Sequence, residues 1–260
     1  MSSQNLVGRV AIVTGATSCV GGCTTRRLIN MGMIVVGVSR KLPGTKRAGW
    51  GRFSQNVQRG FSRLVPRQKD DIVPSQEGQL GKVFFVRGDV TNPKDIRRII
   101  KWTRKKFGHI DVLVNAAGSV QNYDFLYSDQ KMLKEMIETR MLGTLLFSRA
   151  VILEMKAMKI ENGHIIATSG IIGKRDLAVY SGMYLNVQGC VTIMTSAIKD
   201  DLENKHIPIK VTDITIPREL VDDSPAEGVE KGYITAADIA QEICDAISQH
   251  ACSQSNPSNN

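Results

Sequence analysis

Thr14-Gly15-Ala16-Thr17-Ser18-Cys19-Val20-Gly21 joins a short β-branched apolar run, Arg9 to Val13, to a stretch with helical periodicity. A glycine-bearing turn in that setting brings backbone N–H groups and the positive end of a helix up to an anion, above all a pyrophosphate. Gly15, Thr17, Ser18, Cys19, Val20 and Gly21 are therefore candidate phosphate contacts, and the bland alternative is a tight βα turn without a ligand. A second chemical position follows the next apolar run, Ile34 to Ser39. An acidic side chain there would accept hydrogen bonds from the ribose of NAD(H). The chain has Arg40, whose planar guanidinium suits a 2′-phosphate, which favours NADP(H) over NAD(H). The alternative for Arg40 is that it belongs to the basic segment it opens and points into water.

These positions need strands and helices to hold them. Ile34 to Ser39, Lys82 to Val86, Asp111 to Asn115, His164 to Ala167 and Ile209 to Ile214 read as further buried strands after the first. Helices are expected over about Val20 to Asn30, closed by Gly32, from Asn92-Pro93 onward, over Ser128 to Ala157 and over Met183 to Glu203. Thr235 to Asp238 forms a capping signal for a last helix ending near Gln249. Alternation of strand and helix predicts an α/β fold: one doubly wound, Rossmann-type domain over residues 1–252, with six mainly parallel strands and helices on both faces. A polar tail, 253–260, follows.

The chain of 260 residues is 42% hydrophobic and 23% charged, with a formal net charge of +9. Between Arg40 and Lys69 lie nine Lys/Arg and no Asp/Glu; removing those nine from 34 leaves 25 basic residues against 25 acidic ones. The excess thus sits in one insert, about 41–80, and an anionic partner is expected for that segment alone. Phe53, Val57, Phe61 and Leu64 recur there at helical spacing, with Arg52, Arg59, Arg63 and Arg67 mostly elsewhere around the helix. The plain reading is a docked helix with a solvated basic side. The five cysteines are odd in number and match no zinc spacing, so they are expected to stay reduced. No apolar run approaches the roughly 18–20 residues of a membrane span, and Met1 to Asn5 carries no secretory pattern. The expected compartment is the cytosol.

The turn at Gly15–Gly21, Asp89-Val90, Asn115-Ala116-Ala117-Gly118, Gly163-His164-Ile165-Ile166, and Met183-Tyr184 with Val191, Thr195 and Leu202 together resemble the short-chain dehydrogenase/reductase family. The resemblance spans nearly the whole chain and is nearest the insect farnesol-type and alcohol dehydrogenase branch. It implies that Asp89 and Val90 border an adenine, that Asn115 to Gly118 lie along the cofactor, and that Pro217 borders the nicotinamide. One departure concerns the cofactor and another the sheet edge. Cys19 replaces the middle glycine of the turn, and its Cβ crowds a pyrophosphate. Alternatively its thiol, at a helix N-terminus, is acidified and redox-sensitive. The family's seventh strand is missing, which leaves the sixth as an edge.

Larger departures concern the chemistry. By resemblance, the family uses a tyrosine as proton carrier, a lysine one helical turn on, a serine for the substrate oxygen and an asparagine for a water chain. Those positions hold Tyr184, Gln188, Gly170 and Arg140. A lysine ~4 Å from a phenol, at an effective dielectric near 20, favours tyrosinate by about 4 kcal/mol. Without it, only about one phenol in a thousand is ionised at neutral pH. Losing the serine removes a directed donor worth on the order of 3 kcal/mol. Ser169, one residue early, and the cation of Arg140 are the candidate substitutes; their plain alternatives are a strand-end hydroxyl bonded to backbone and a solvated or interface arginine.

Three readings stand. The first is an NADP(H)-binding family member with weak or absent hydride transfer, a pseudoenzyme or regulatory paralogue. The second is an active NADP-dependent alcohol or carbonyl oxidoreductase with a rewired centre. The third is an interaction protein acting through the basic insert without cofactor. The family also pairs its two long helices across a twofold, which makes a homodimer an expectation.

Overall fold

The computed structural model describes residues 6–42, 72–73, 80–118, 128–170, 182–216 and 235–253. In chain order the elements are β1 (Val10–Thr14), α1 (Cys19–Asn30), β2 (Ile34–Ser39), β3 (Ile72–Val73), β4 (Lys82–Arg87), α2 (Pro93–Phe107) and β5 (Val112–Asn115). A long helix follows as α3 (Gln130–Ile137), a π-helical turn (Glu138–Leu142) and α4 (Gly143–Ala157). The remainder is β6 (Gly163–Gly170), α5 (Gly182–Asn204), β7 (Ile209–Ile216) and α6 (Ala236–Ser253).

The sheet order is β3-β4-β2-β1-β5-β6-β7. Six strands run parallel, as the alternation of elements requires, and β3 is a two-residue antiparallel addition at one edge, pairing Ile72 with Phe84 and Val73 with Val83. That addition lies in the basic insert and was not expected. The helix expected over Phe53 to Leu64 lies outside the described residues. At the other edge is β7, and no strand follows it among the described residues.

Every residue of β1 and β5 is buried, because helices cover both faces of a parallel sheet. Leu28 and Ile29 of α1 and Ile239, Ile243 and Ile247 of α6 pack against one face. Ile96 and Ile99 of α2 and Phe147, Val151 and Met155 of α4 pack against the other. The chain moves outward one way from β1 to β2 and the opposite way from β1 to β5, so the crevice at the carboxyl ends of β1 and β5 is the topological switch point.

Local signals set the helix ends. Ser18 caps α1, accepting from Gly21 N at 3.3 Å, so the helix begins at Cys19, one residue before the expected start. Asn92 caps α2, with Pro93 at its first turn and Gly108 left-handed at its end. Thr235 and Asp238 cap α6 reciprocally, at 2.8 and 3.2 Å. The long helix expected from Ser128 to Ala157 is present but carries the π turn at Glu138–Leu142, which re-aims its side chains near the switch point.

Candidate functional site

The site forms where β1 and β5 end side by side, with Thr14 paired to Asn115. Thr14 Oγ1 accepts from the amides of Ala116 and Ala117, both at 3.2 Å, and donates to Val114 O at 3.4 Å. One threonine thus ties the two turns together. Gly15 has φ +65°, and a Cβ there would stand 2.5 Å from Ala116 O, so this position needs glycine. A Cβ at Gly21 would overlap Gly15 O. Ala16 N donates to Val38 O at 3.2 Å, which seats the turn on β2 just before Arg40.

No acidic residue lies in the first turn of α1. The positive end of the helix dipole therefore meets no acidic side chain in that turn, and first-turn N–H groups lack intrahelical acceptors, with Ser18 Oγ accepting from that of Gly21. Thr17, Ser18 and Cys19 are half-buried around that end, while Val20 and Gly21 are buried behind it. This cradle fits a pyrophosphate. Cys19 opens the helix, half-buried, with its side chain packed against the core beside the cradle.

Arg40 is exposed, but its guanidinium reaches across to α3, donating from Nη1 to Glu135 Oε1 at 2.5 Å. Asp89 follows β4 and accepts at Oδ1 from Thr91 N (2.9 Å) and Thr91 Oγ1 (2.8 Å). Its own amide donates to Asp95 Oδ2 at 2.9 Å. That bond, with the Arg98 guanidinium, holds the Asp95 carboxyl below its ordinary range. Val90 is buried against Gly143, where a Cβ would collide with it.

Past β5, the Asn115 side chain turns inward and donates to Ser148 Oγ at 2.9 Å, while Thr168 Oγ1 donates to Asn115 O at 3.0 Å. These bonds fix the strand end and leave the backbone of Ala116, Ala117 and Gly118 as the face toward the crevice. Arg140, on the π turn, is buried with its guanidinium against Gly118. The expectation of a solvated or interface arginine does not hold.

Ser169, the candidate substitute serine, is fully buried and donates to Asp213 Oδ2 of β7 at 2.8 Å. The hydroxyl is bonded to a neighbouring strand's carboxylate and not to its own backbone. To serve a substrate oxygen it would have to leave that partner. Gly170 ends β6 and pairs with Ile216. Tyr184 and Gln188 lie one turn apart on α5, and Gln188 is 2% exposed. The Tyr184 side chain, Tyr180, Pro217 and the acidic stretch Asp222 to Glu230 lie outside the described residues.

Glu135, Thr14, Ser148 and Asp213 were not anticipated. Thr14 carried a signal, a hydroxyl directly before the first glycine. The other three carried none, since each meets its partner only through the sheet order.

A model of the short chain dehydrogenase family matches residues 56–217. The chain is 32% identical over 226 residues to farnesol dehydrogenase of Aedes aegypti, covering 85% of this chain and 82% of that one. Among solved structures it is similar to a metagenomic short-chain oxidoreductase in complex with NADP, with TM-score 0.67 and 21% identity over 95% of this chain and 94% of that one. It is equally similar to an NADH-dependent reductase of alginate metabolism, with TM-score 0.68 and 18% identity over 93% and 89%.

Proposed function

The chain belongs to the short-chain dehydrogenase family, and from that premise we propose that it binds NADP(H) in the crevice at the ends of β1 and β5 and transfers hydride weakly or not at all. The cofactor half of this reading rests on the Gly15–Gly21 cradle, with no acidic side chain in the helix's first turn, and on Arg40 beside it. Relatives of this fold are described with NADP in one case and NADH in another, so the preference rests on Arg40. Bound there, the nicotinamide would supply or accept the hydride. Gly15, Thr17, Ser18, Cys19, Val20 and Gly21 would hold the pyrophosphate, with Asp89 and Val90 at the adenine, Ala116, Ala117 and Gly118 along the ribose, and Pro217 at the nicotinamide.

The observation that carries the chemical half is Gln188. By family resemblance, proton transfer at Tyr184 needs a cation one helical turn on. The position holds a buried neutral amide, which is able to hydrogen-bond a ribose hydroxyl but brings no charge. With Gly170 lacking a hydroxyl and Ser169 bonded to Asp213, neither the phenol nor the substrate oxygen has its helper. The protein then acts as a dinucleotide-binding or regulatory member of its family.

A second reading, an active alcohol or carbonyl oxidoreductase, is favoured by one fact: Arg140 puts a permanent cation beneath Gly118, next to the cofactor face. A twofold homodimer and a cytosolic setting complete the proposal. The homodimer is supported by Leu142 and, on the long helices α4 and α5, Leu145, Leu153 and Ile193, all exposed large apolar residues. Among the described residues no helix is long and apolar enough to cross a membrane.

Calorimetric titration of the purified protein with NADPH and with NADH is the test, followed by a turnover screen over small alcohols and carbonyls. Micromolar NADPH binding, much tighter than NADH, with no turnover is the expected result. Turnover comparable to an ordinary dehydrogenase would establish the rewired reading. Binding of neither dinucleotide would move attention to the basic insert.

A further inference from the structure

Arg40 and Glu135 are 95 residues apart in sequence and meet across the mouth of the crevice. Arg40 leaves the end of β2, one residue beyond Ser39 and two beyond Val38, whose carbonyl holds the phosphate turn through Ala16 N. Glu135 sits near the end of α3, on the helix that continues through the π turn to Arg140. Of the neighbouring charges on α3, Lys134 is turned to Glu138 at 3.7 Å. The carboxylate of Glu135 therefore faces the one guanidinium that stands at the 2′ position of the proposed cofactor.

Resting on the NADP(H) reading above, we infer that Glu135 is a specificity-determining residue, which competes with a 2′-phosphate for Arg40 and so holds down the preference for NADPH over NADH. The physics is direct. A guanidinium bound to a carboxylate has given up part of the fork that would grip a phosphate bidentately. A 2′-phosphate arriving at Arg40 must displace Glu135 and then sits near its negative charge, a repulsion that solvent and salt weaken at this exposed position but do not remove. NADH carries a ribose hydroxyl there and asks nothing of Arg40, so its binding leaves the ion pair intact. The discrimination expected from Arg40 alone is thereby reduced.

The test is a set of equilibrium titrations with NADPH and NADH, read by cofactor fluorescence and calorimetry, on the wild type, Glu135→Gln, Arg40→Ala and the double variant. Both positions are exposed, so the substitutions leave the fold in place, which circular dichroism checks. Glu135→Gln should tighten NADPH by about three- to fivefold and change NADH by less than about twofold, in line with exposed ion pairs. In the Arg40→Ala background the same substitution should change NADPH by less than about twofold, and raising salt should shrink the wild-type effect. An unchanged NADPH affinity in Glu135→Gln, or equal tightening of both dinucleotides, overturns the inference while leaving the cofactor reading standing. Wild type that binds neither dinucleotide overturns the cofactor reading and the inference with it.

Discussion

The guanidinium of Arg140 rests on the Cα of Gly118, so closely that a single carbon added at Gly118 would overlap Nε and Cζ. Arg140 is 6% exposed and held by the π turn, so it has little room to retreat. Gly118→Ala should therefore destabilise the fold by about 1–3 kcal/mol, the usual cost of overpacking. In an Arg140→Ala background the same substitution should cost less than half as much, because its clashing partner is gone. Urea denaturation of the four proteins measures both. Equal costs in the two backgrounds would mean that the loop, and not Arg140, limits the space.

The two catalytic readings separate on Gln188, Gly170 and Arg140. If the centre is dismantled, Gln188→Lys with Gly170→Ser should raise carbonyl reduction by NADPH by on the order of a hundredfold, since a cation and a directed donor are each worth a few kcal/mol. Arg140→Gln should then change a negligible rate negligibly. If the centre is rewired around Arg140, the wild type should turn over, and Arg140→Gln should abolish that activity while leaving NADPH affinity within a few-fold. Because Gln188 is buried, the lysine variant needs a folding check by denaturation before its rate is read.

Much of this was legible in the sequence. Apolar runs such as Val10–Thr14 and Ile34–Ser39 announced buried parallel strands because both faces of the sheet are covered, leaving no polar alternation to blur them. Asn92 and Thr235 announced helix starts because capping is a local matter of three or four residues. What stayed hidden was long-range. Nothing local tells that Ser169 will find Asp213 of the next strand, or that Arg40 will find Glu135, since both pairings depend on how the chain crosses over. Arg140 is the instructive case. The family resemblance singled it out on the long helix, with a solvated or interface arginine as the plain alternative, but the π turn shifts the phase of that helix, and the side chain goes inward beneath Gly118.

Cys19 begins α1 beside the phosphate cradle, where the family has glycine by resemblance. Cys19→Gly removes the crowding Cβ and should tighten NADPH by about three- to tenfold. The same change places glycine in a helix's first turn and should lower stability by up to about 1 kcal/mol. Opposite signs on affinity and stability, measured by titration and by thermal unfolding, are the signature. Unchanged affinity would show that the pyrophosphate does not approach that residue.

Far from the crevice, where β6 begins and α6 ends, the rings of His164 and His250 meet edge to face with centroids 4.9 Å apart. His164 is fully buried, and its Nε2 lies 2.8 Å from Thr212 Oγ1. Burial pushes its pKa down to about 3, helped by the charges of His250, Lys210 and Arg9. Burial, with Lys210 and Arg9, also lowers His250, against a bond to the Gly163 backbone that raises it. His164 is thus kept neutral in the folded state far below the pH near 6.5 at which an unfolded histidine titrates. As pH falls from about 6.5 toward 3, the unfolded chain binds protons that the native His164 refuses, so stability falls by at most about 1.4 kcal/mol per pH unit for that residue. Above about pH 7 the pair contributes no slope. Urea midpoints between pH 7.5 and 5 should therefore drop for the wild type and drop less steeply for His164→Gln, whatever the latter's absolute stability. Parallel slopes in the two proteins would show that His164 takes up its proton in the native state and that the pair is not the source of acid sensitivity.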